Sequence, residues 1–173
     1  MKKLTVLSLV LFLTSLTFGQ YAVGKKTAGA FIGVGGGGLS GTGGVPIGVE
    51  YNFLNFEKNI QVGAFAAFAS TSEDFSVGKW KYSNIIIAAQ ANYHFLPGDK
   101  FDPFAGVALG YDIASASTEY NSGYSSFAGG SASSGGFVWS AQVGANYWFS
   151  PKLAGQIRLG YFPYVAVGVT LAM

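Results

Sequence analysis

The sequence predicts an all-β fold: an eight-stranded antiparallel up-and-down transmembrane β-barrel that follows a cleaved signal peptide. Three observations carry this prediction. Segments of roughly ten residues, rich in aromatic and β-branched side chains, recur along the chain, and about 9–11 residues is what a tilted membrane strand needs. Side chains within them alternate with period two, and in the clearest segment neither face carries a charge. The whole chain is 50% hydrophobic and only 10% charged, where an ordinary soluble domain carries about 25% charged residues.

A length of 173 residues fits one domain. With 15 Phe and 10 Tyr, the chain is too aromatic and too weakly charged for intrinsic disorder. The absence of cysteine excludes a disulfide scaffold, Cys-based zinc sites, a thiol nucleophile and a lipid-modified Cys anchor.

The first residues have the three-part pattern of a secretory signal. Met1-Lys2-Lys3 is a short basic start, Leu4 to Leu13 is an apolar run, and Thr17 and Gly19 supply small side chains before a cut at Gln20. The apolar run is too short to span a bilayer. The expected division is therefore a signal peptide over 1–19 and a barrel domain over 20–173. Cleavage removes Lys2 and Lys3 and leaves the mature chain with no net charge. No basic patch remains, so nucleic acid is not an expected partner.

Eight segments read as strands. Ala28–Gly36 is short and rich in Gly. Val45–Phe53 sets Val45, Ile47, Val49, Tyr51 and Phe53 against Gly48, Glu50 and Asn52. Ile60–Ser70 is apolar on both faces apart from Gln61. Tyr82–Phe95 places Ile85, Ile87, Ala89, Ala91, Tyr93 and Phe95 opposite Asn84, Gln90, Asn92 and His94. Phe104–Ser115 alternates Val107, Leu109, Tyr111 and Ile113 with Gly106, Ala108, Gly110 and Asp112. Phe137–Phe149 is the clearest, with Trp139, Val143 and Tyr147 opposite Ser140, Gln142 and Asn146. Leu153–Phe162 sets Ile157, Leu159 and Tyr161 against Gln156 and Arg158. Val165–Leu171 closes the series.

The connections differ in kind. Leu54–Asn59, Leu96–Asp102 and Ser150–Lys152 are short, as is the break around Pro163. Gly35–Gly44, Thr71–Lys81 and Ala116–Gly136 are longer and are expected to be loops. Short turns on one rim and long loops on the other characterise outer-membrane barrels, with the long loops outside the cell. An even strand count puts both termini on the periplasmic side.

Three strands end in a Tyr-x-Phe triplet beside a short turn: Tyr51-Asn52-Phe53, Tyr93-His94-Phe95 and Tyr147-Trp148-Phe149. The Tyr and Phe of each fall on the apolar face, as expected of a periplasmic aromatic girdle at the membrane interface. With this strand rhythm, these strand ends and the loop asymmetry, residues 28–173 resemble small outer-membrane β-barrels of the OmpA, OmpX and OmpW kind. That group includes the barrel-domain proteins common in Bacteroidetes. The resemblance implies a closed barrel in the outer membrane of a Gram-negative bacterium, inserted by the barrel-assembly machinery and surrounded by outer-membrane lipid and lipopolysaccharide. Members of the group usually close on a strand with aromatic residues at its last and third-last positions, where Leu171 and Met173 stand here.

Eight strands leave an interior just wide enough for side chains to fill. The expected lumen lining is Glu50, Asn52, Gln90, Asn92, Asp112, Gln142, Asn146, Gln156 and Arg158. Glu50 and Arg158 are expected to pair, because an isolated charge in that interior is costly.

Motifs for chemistry are weak. Gly33-Val34-Gly35-Gly36-Gly37-Gly38 satisfies G-x-G-x-x-G, but no helix or spaced acidic residue follows it. Gly19–Thr27 approximates a phosphate-binding loop but puts Lys26 where a magnesium-binding hydroxyl belongs. His94, the one histidine, is read as an interfacial side chain at the short-turn rim. It lacks the companions that a metal site or a nucleophile–base pair requires. No cofactor, metal or catalytic residue is expected. Tyr120, Tyr124 and Phe127 in Ala116–Gly136 are aromatic anchors among Ser, Gly and Asn, the composition of a surface-ligand loop. The expected role is non-catalytic, in envelope structure or surface interaction. The resemblance keeps open a narrow channel for small hydrophobic molecules and, behind it, lipid A modification.

Overall fold

Backbone amides cannot stay unpaired in hydrocarbon, so a strand-built membrane protein must close its sheet. This chain does so. A computed structural model describes residues 24–36, 44–57, 59–121 and 129–173. Within them run β1 (Thr27–Val34), β2 (Ile47–Phe56), β3 (Ile60–Phe75), β4 (Gly78–His94), β5 (Phe101–Tyr120), β6 (Ser131–Ser150), β7 (Leu153–Leu159) and β8 (Val165–Ala172). Each strand pairs antiparallel with the next, and β8 pairs with β1 from Thr27↔Ala172 to Val34↔Val165. No described helix is long and apolar enough to cross a membrane. Residues 1–19 lie outside the described residues.

The strands are not equal in length, which corrects the loop assignments. Thr71–Lys81 is largely strand: β3 and β4 stay paired up to Phe75↔Gly78. Ala116–Gly136 likewise contributes to both β5 and β6, paired as far as Ser117↔Ser131. These stretches are polar, and polar Gly- and Ser-rich sequence reads as loop. Their ladder nevertheless continues, because each backbone has a neighbour already in register. The result is a four-stranded sheet, β3 to β6, that rises beyond the shorter β1, β2, β7 and β8.

At the short-turn rim, two register shifts mark bulges. One passes from Asn52 to Leu54 and the other from Trp148 to Ser150, so Phe53 and Phe149 are the unpaired residues. A bulge adds a residue and re-aims side chains at a sheet's rim. Gly98, in the turn after β4, has a φ of +99°, a region open to glycine and strained for other residues.

Candidate functional site

Alternation sorts the inward side chains, and their sizes arrange them in three layers. Nearest the short turns Trp148, Ala154 and Ala172 form a buried apolar floor. Toward the other rim Phe31, Phe65, Ile86 and Phe162 pack with Ala67, Ala88, Ala108 and Ala166 as an apolar cap. Between them lies a polar net.

The net is continuous. Arg158 Nη2 donates to Glu50 Oε2 and to Gln156 Oε1 (2.9 Å). Gln156 Nε2 reaches Glu50 Oε1 at 3.0 Å and Asn146 Oδ1 at 3.2 Å. From the opposite wall Gln90 Nε2 donates to Glu50 Oε2 (3.0 Å) and Asn52 Oδ1 (2.9 Å). Gln142 Nε2 donates to Gln90 Oε1 (3.2 Å) and Asn92 Oδ1 (2.6 Å). Both Arg158 and Glu50 are buried, and the Arg158 guanidinium also lies 5.1 Å from the centre of the Phe31 ring. A buried charge is tolerable only when paired and hydrogen-bonded; Arg158 meets this through Nη2 alone, with Nε and Nη1 buried without a hydrogen-bond partner among the described residues.

Eight of the nine lining residues expected from sequence meet in this net. Asp112 stands apart, half-buried nearer the long-hairpin end. Sequence reasoning missed Asp102, which is fully buried and lies within 2.8 Å of His94 Nδ1. Asn146 Nδ2 approaches the same carboxylate at 3.4 Å. His94 is therefore not interfacial. It is buried in the lumen against Asp102 and Phe104 (ring centroids 5.6 Å). The missed signal was parity: Asp102 continues the inward even-numbered series of Phe104, Gly106 and Ala108 by one step. Thr27 and Thr170 join the net by the same rule on β1 and β8, accepting from Asn52 and Gln156.

The outward face is apolar. On the three Tyr-x-Phe triplets the rings lean together, with centroids 6.0 Å apart for Tyr51–Phe53, 5.3 Å for Tyr93–Phe95 and 5.4 Å for Tyr147–Phe149. Five of these six side chains are exposed, and Tyr147 is half-buried. At the other end the apolar face stops along a line. Phe68, Ile85 and Ile113 sit side by side across β3, β4 and β5. One outward step beyond, Ser70, Ser83, Ser115 and Ser133 form an unbroken row across β3 to β6. From Phe95 to Ile85 the apolar face spans about 26 Å along the barrel axis, taking about 3.4 Å per residue and a tilt of about 40°. An outer-membrane barrel carries an apolar band of about 25 Å.

Above the serine row the sheet is polar outside and aromatic inside. Outward, Glu119 on β5 sits between Lys79 and Lys81 of β4, 3.4 and 2.7 Å away. Those two ammonium groups hold its carboxyl below the usual glutamate range. On the opposite face the Phe75 ring meets Trp80 (5.9 Å) and Tyr120 (6.0 Å, edge-on). Trp80 is exposed. Tyr124 and Phe127 lie outside the described residues. Among the described residues no three His, Asp or Glu side chains converge in a way that could hold a metal ion.

Comparison with known proteins fits this geometry. Residues 6–167 match the family described as "Outer membrane protein beta-barrel domain". No curated protein matches the chain in sequence. Among solved structures the chain is similar to Neisserial surface protein A, with a TM-score of 0.55 at 15% identity over 88% of this chain and 98% of that one. It is also similar to the N-terminal β-barrel domain of Pseudomonas aeruginosa OprF, with a TM-score of 0.50 at 12% identity over 87% and 98%. A de novo designed transmembrane β-barrel gives a TM-score of 0.50 at 13% identity over 89% and 99%. At these identities the likeness is one of fold. A closed sheet with an outward apolar band and a family match over nearly its whole length leads to one conclusion: this chain belongs to the outer membrane protein beta-barrel domain family.

Proposed function

We propose that the protein is a non-catalytic component of the outer membrane that presents the β3–β6 sheet at the cell surface for interaction. The observation that carries this reading is the division of labour along the barrel. The lumen is filled by the floor, the net and the cap, while the elongated hairpins extend past the membrane and carry exposed aromatic and charged side chains. A filled interior supports a closed barrel over a channel. Rigid aromatics on a regular sheet support binding, since Trp and Tyr give contact area at low entropic cost.

In this reading residues 1–19 direct export and are removed, and 20–173 form the mature barrel. The barrel-assembly machinery inserts it, outer-membrane lipid and lipopolysaccharide cover its apolar band, and any surface ligand meets the sheet and residues 116–136. The Tyr-x-Phe pairs mark the periplasmic interface. The test combines outer-membrane fractionation, heat-modifiable gel migration and planar-bilayer conductance of the purified protein. A processed, heat-modifiable protein with no stepwise conductance is expected. Discrete conductance steps would reject the closed barrel in favour of the channel, and altered lipid A in its presence would reject the non-catalytic role.

A further inference from the structure

The wall is not uniform between β6 and β7. Their ladder ends at Val143↔Leu159. Beyond it the Tyr161 amide donates to the Ser140 hydroxyl (3.1 Å) rather than to a backbone carbonyl, while Gly160 N keeps to the β8 side through Tyr164 O (3.0 Å). From there β6 runs on without β7. At this break a groove of about 810 Å³ opens in the outer surface, lined by Trp139, Ala141, Val143, Leu159 and Tyr161.

The depth of the groove selects what fills it. Trp139 pairs with Leu109 and Val143 with Ala105 on β5, and both β5 residues lie on the apolar side of Ile113 and the serine row. The groove is thus within the apolar band, with Trp139 and Tyr161 toward its upper end. Its medium is lipid tails. An unfilled apolar hollow forfeits dispersion contacts with its lining, and a chain seated in it meets wall on more than one side. The inward polar side chains beneath the groove are already engaged. The Ser140 hydroxyl already accepts from Tyr161 and donates to Ala141 O (3.0 Å), and the Gln142 amide is bound to Gln90 and Asn92.

We propose that this groove is a seat for one acyl chain of a membrane lipid, recognised by the hydrocarbon and not by the headgroup. The site stands apart from the surface sheet and holds whether or not that sheet binds a ligand. Ala141 and, on β5, Ala105 are its small outward residues, so a large side chain at either fills it.

The test is native mass spectrometry of the full-length mature protein, folded in detergent and given dipalmitoyl phosphatidylcholine in one arm and hexa-acylated lipid A in the other. The wild type is expected to retain one lipid in at least one arm. Ala141→Phe should weaken that retention by about tenfold, roughly 1.4 kcal/mol. Ala66→Phe, a matched change on the outward face of β3, should leave it unchanged. Heat-modifiable migration confirms that each variant folds, and Ala105→Leu fills the same groove should Ala141→Phe fail that check. Equal retention by wild type and both groove-filling variants, or no retained lipid in either arm, overturns the proposal. Retention in one arm alone supports it and identifies the lipid that supplies the chain.

Discussion

Arg158 on β7 reaches across the barrel to Glu50 on β2, a residue 108 positions away and on a strand that does not neighbour its own. Removing one partner of a buried pair leaves an uncompensated charge and typically costs about 3–5 kcal/mol. Arg158→Met and Glu50→Gln should each destabilise on that scale in reversible denaturant unfolding. The double variant should lose clearly less than the two losses added together. Strict additivity in that double-mutant cycle would show that the contact carries no coupling.

Phe31 pairs with glycine on both sides, Gly48 on β2 and Gly168 on β8. A Cβ at Gly48 would collide with the Phe31 ring and come within 2.7 Å of Ala66 O. Gly48→Leu is expected to destabilise by about 1–3 kcal/mol through overpacking, and Phe31→Ala by about 3–5 kcal/mol through the cavity it leaves in the cap. Combining the two should recover part of the loss, measured as a shift of the unfolding midpoint.

The serine row marks where the outward apolar face gives way to polar side chains. Because the native chain has no cysteine, single introduced thiols report position cleanly. Ser83→Cys and Ser115→Cys should react with a membrane-impermeant maleimide on intact cells, whereas Ile87→Cys and Leu109→Cys should not. Labelling of the second pair, or protection of the first, would displace the boundary or reverse the orientation.

Glu119 gives the projecting sheet a small dependence on pH. Its carboxyl is held below its ordinary value of 4.5 by Lys81 and Lys79. A lowered folded value means that the stabilisation is fully present above the ordinary value and is lost as pH falls through the folded one. All three side chains are solvent-exposed, so the effect should be slight and screened by salt. Protection of the β4–β5 amides near Lys79, corrected for the intrinsic pH dependence of exchange, should fall in acid for the wild type, with Glu119→Gln less protected than the wild type above the ordinary glutamate value and equal to it once Glu119 is protonated. A pH profile unchanged by Glu119→Gln would remove the ion pair from the account.

Much of the architecture was legible in the residues. The period-two alternation of Phe137–Phe149 and Tyr82–Phe95 fixed which side chains turn inward, so Gln142, Asn146, Gln90 and Asn92 could be assigned to the lumen from the residues alone. The ends of strands were less legible. Thr71–Phe75 and Ser131–Gly136 are strands because neighbouring strands offer them amides and carbonyls, and nothing in their own composition says so. Asp102 was hidden for a related reason, since it follows a Pro- and Gly-containing turn and reads as part of it. His94, taken as interfacial, changed meaning once Asp102 stood beside it.

The sequence by itself determined the membrane-crossing barrel, because hydrocarbon demands both apolar outward residues and a closed ladder, and both demands are written in a two-residue period. Tertiary structure alone decided the stagger between strands. Stagger settles which polar side chains share a level, and so it joined Glu50 to Arg158 and His94 to Asp102. It also decided where β7 stops beside the longer β6, and with it the groove at Ala141. Those outcomes depend on distances between strands far apart in the chain, which no local pattern of residues encodes.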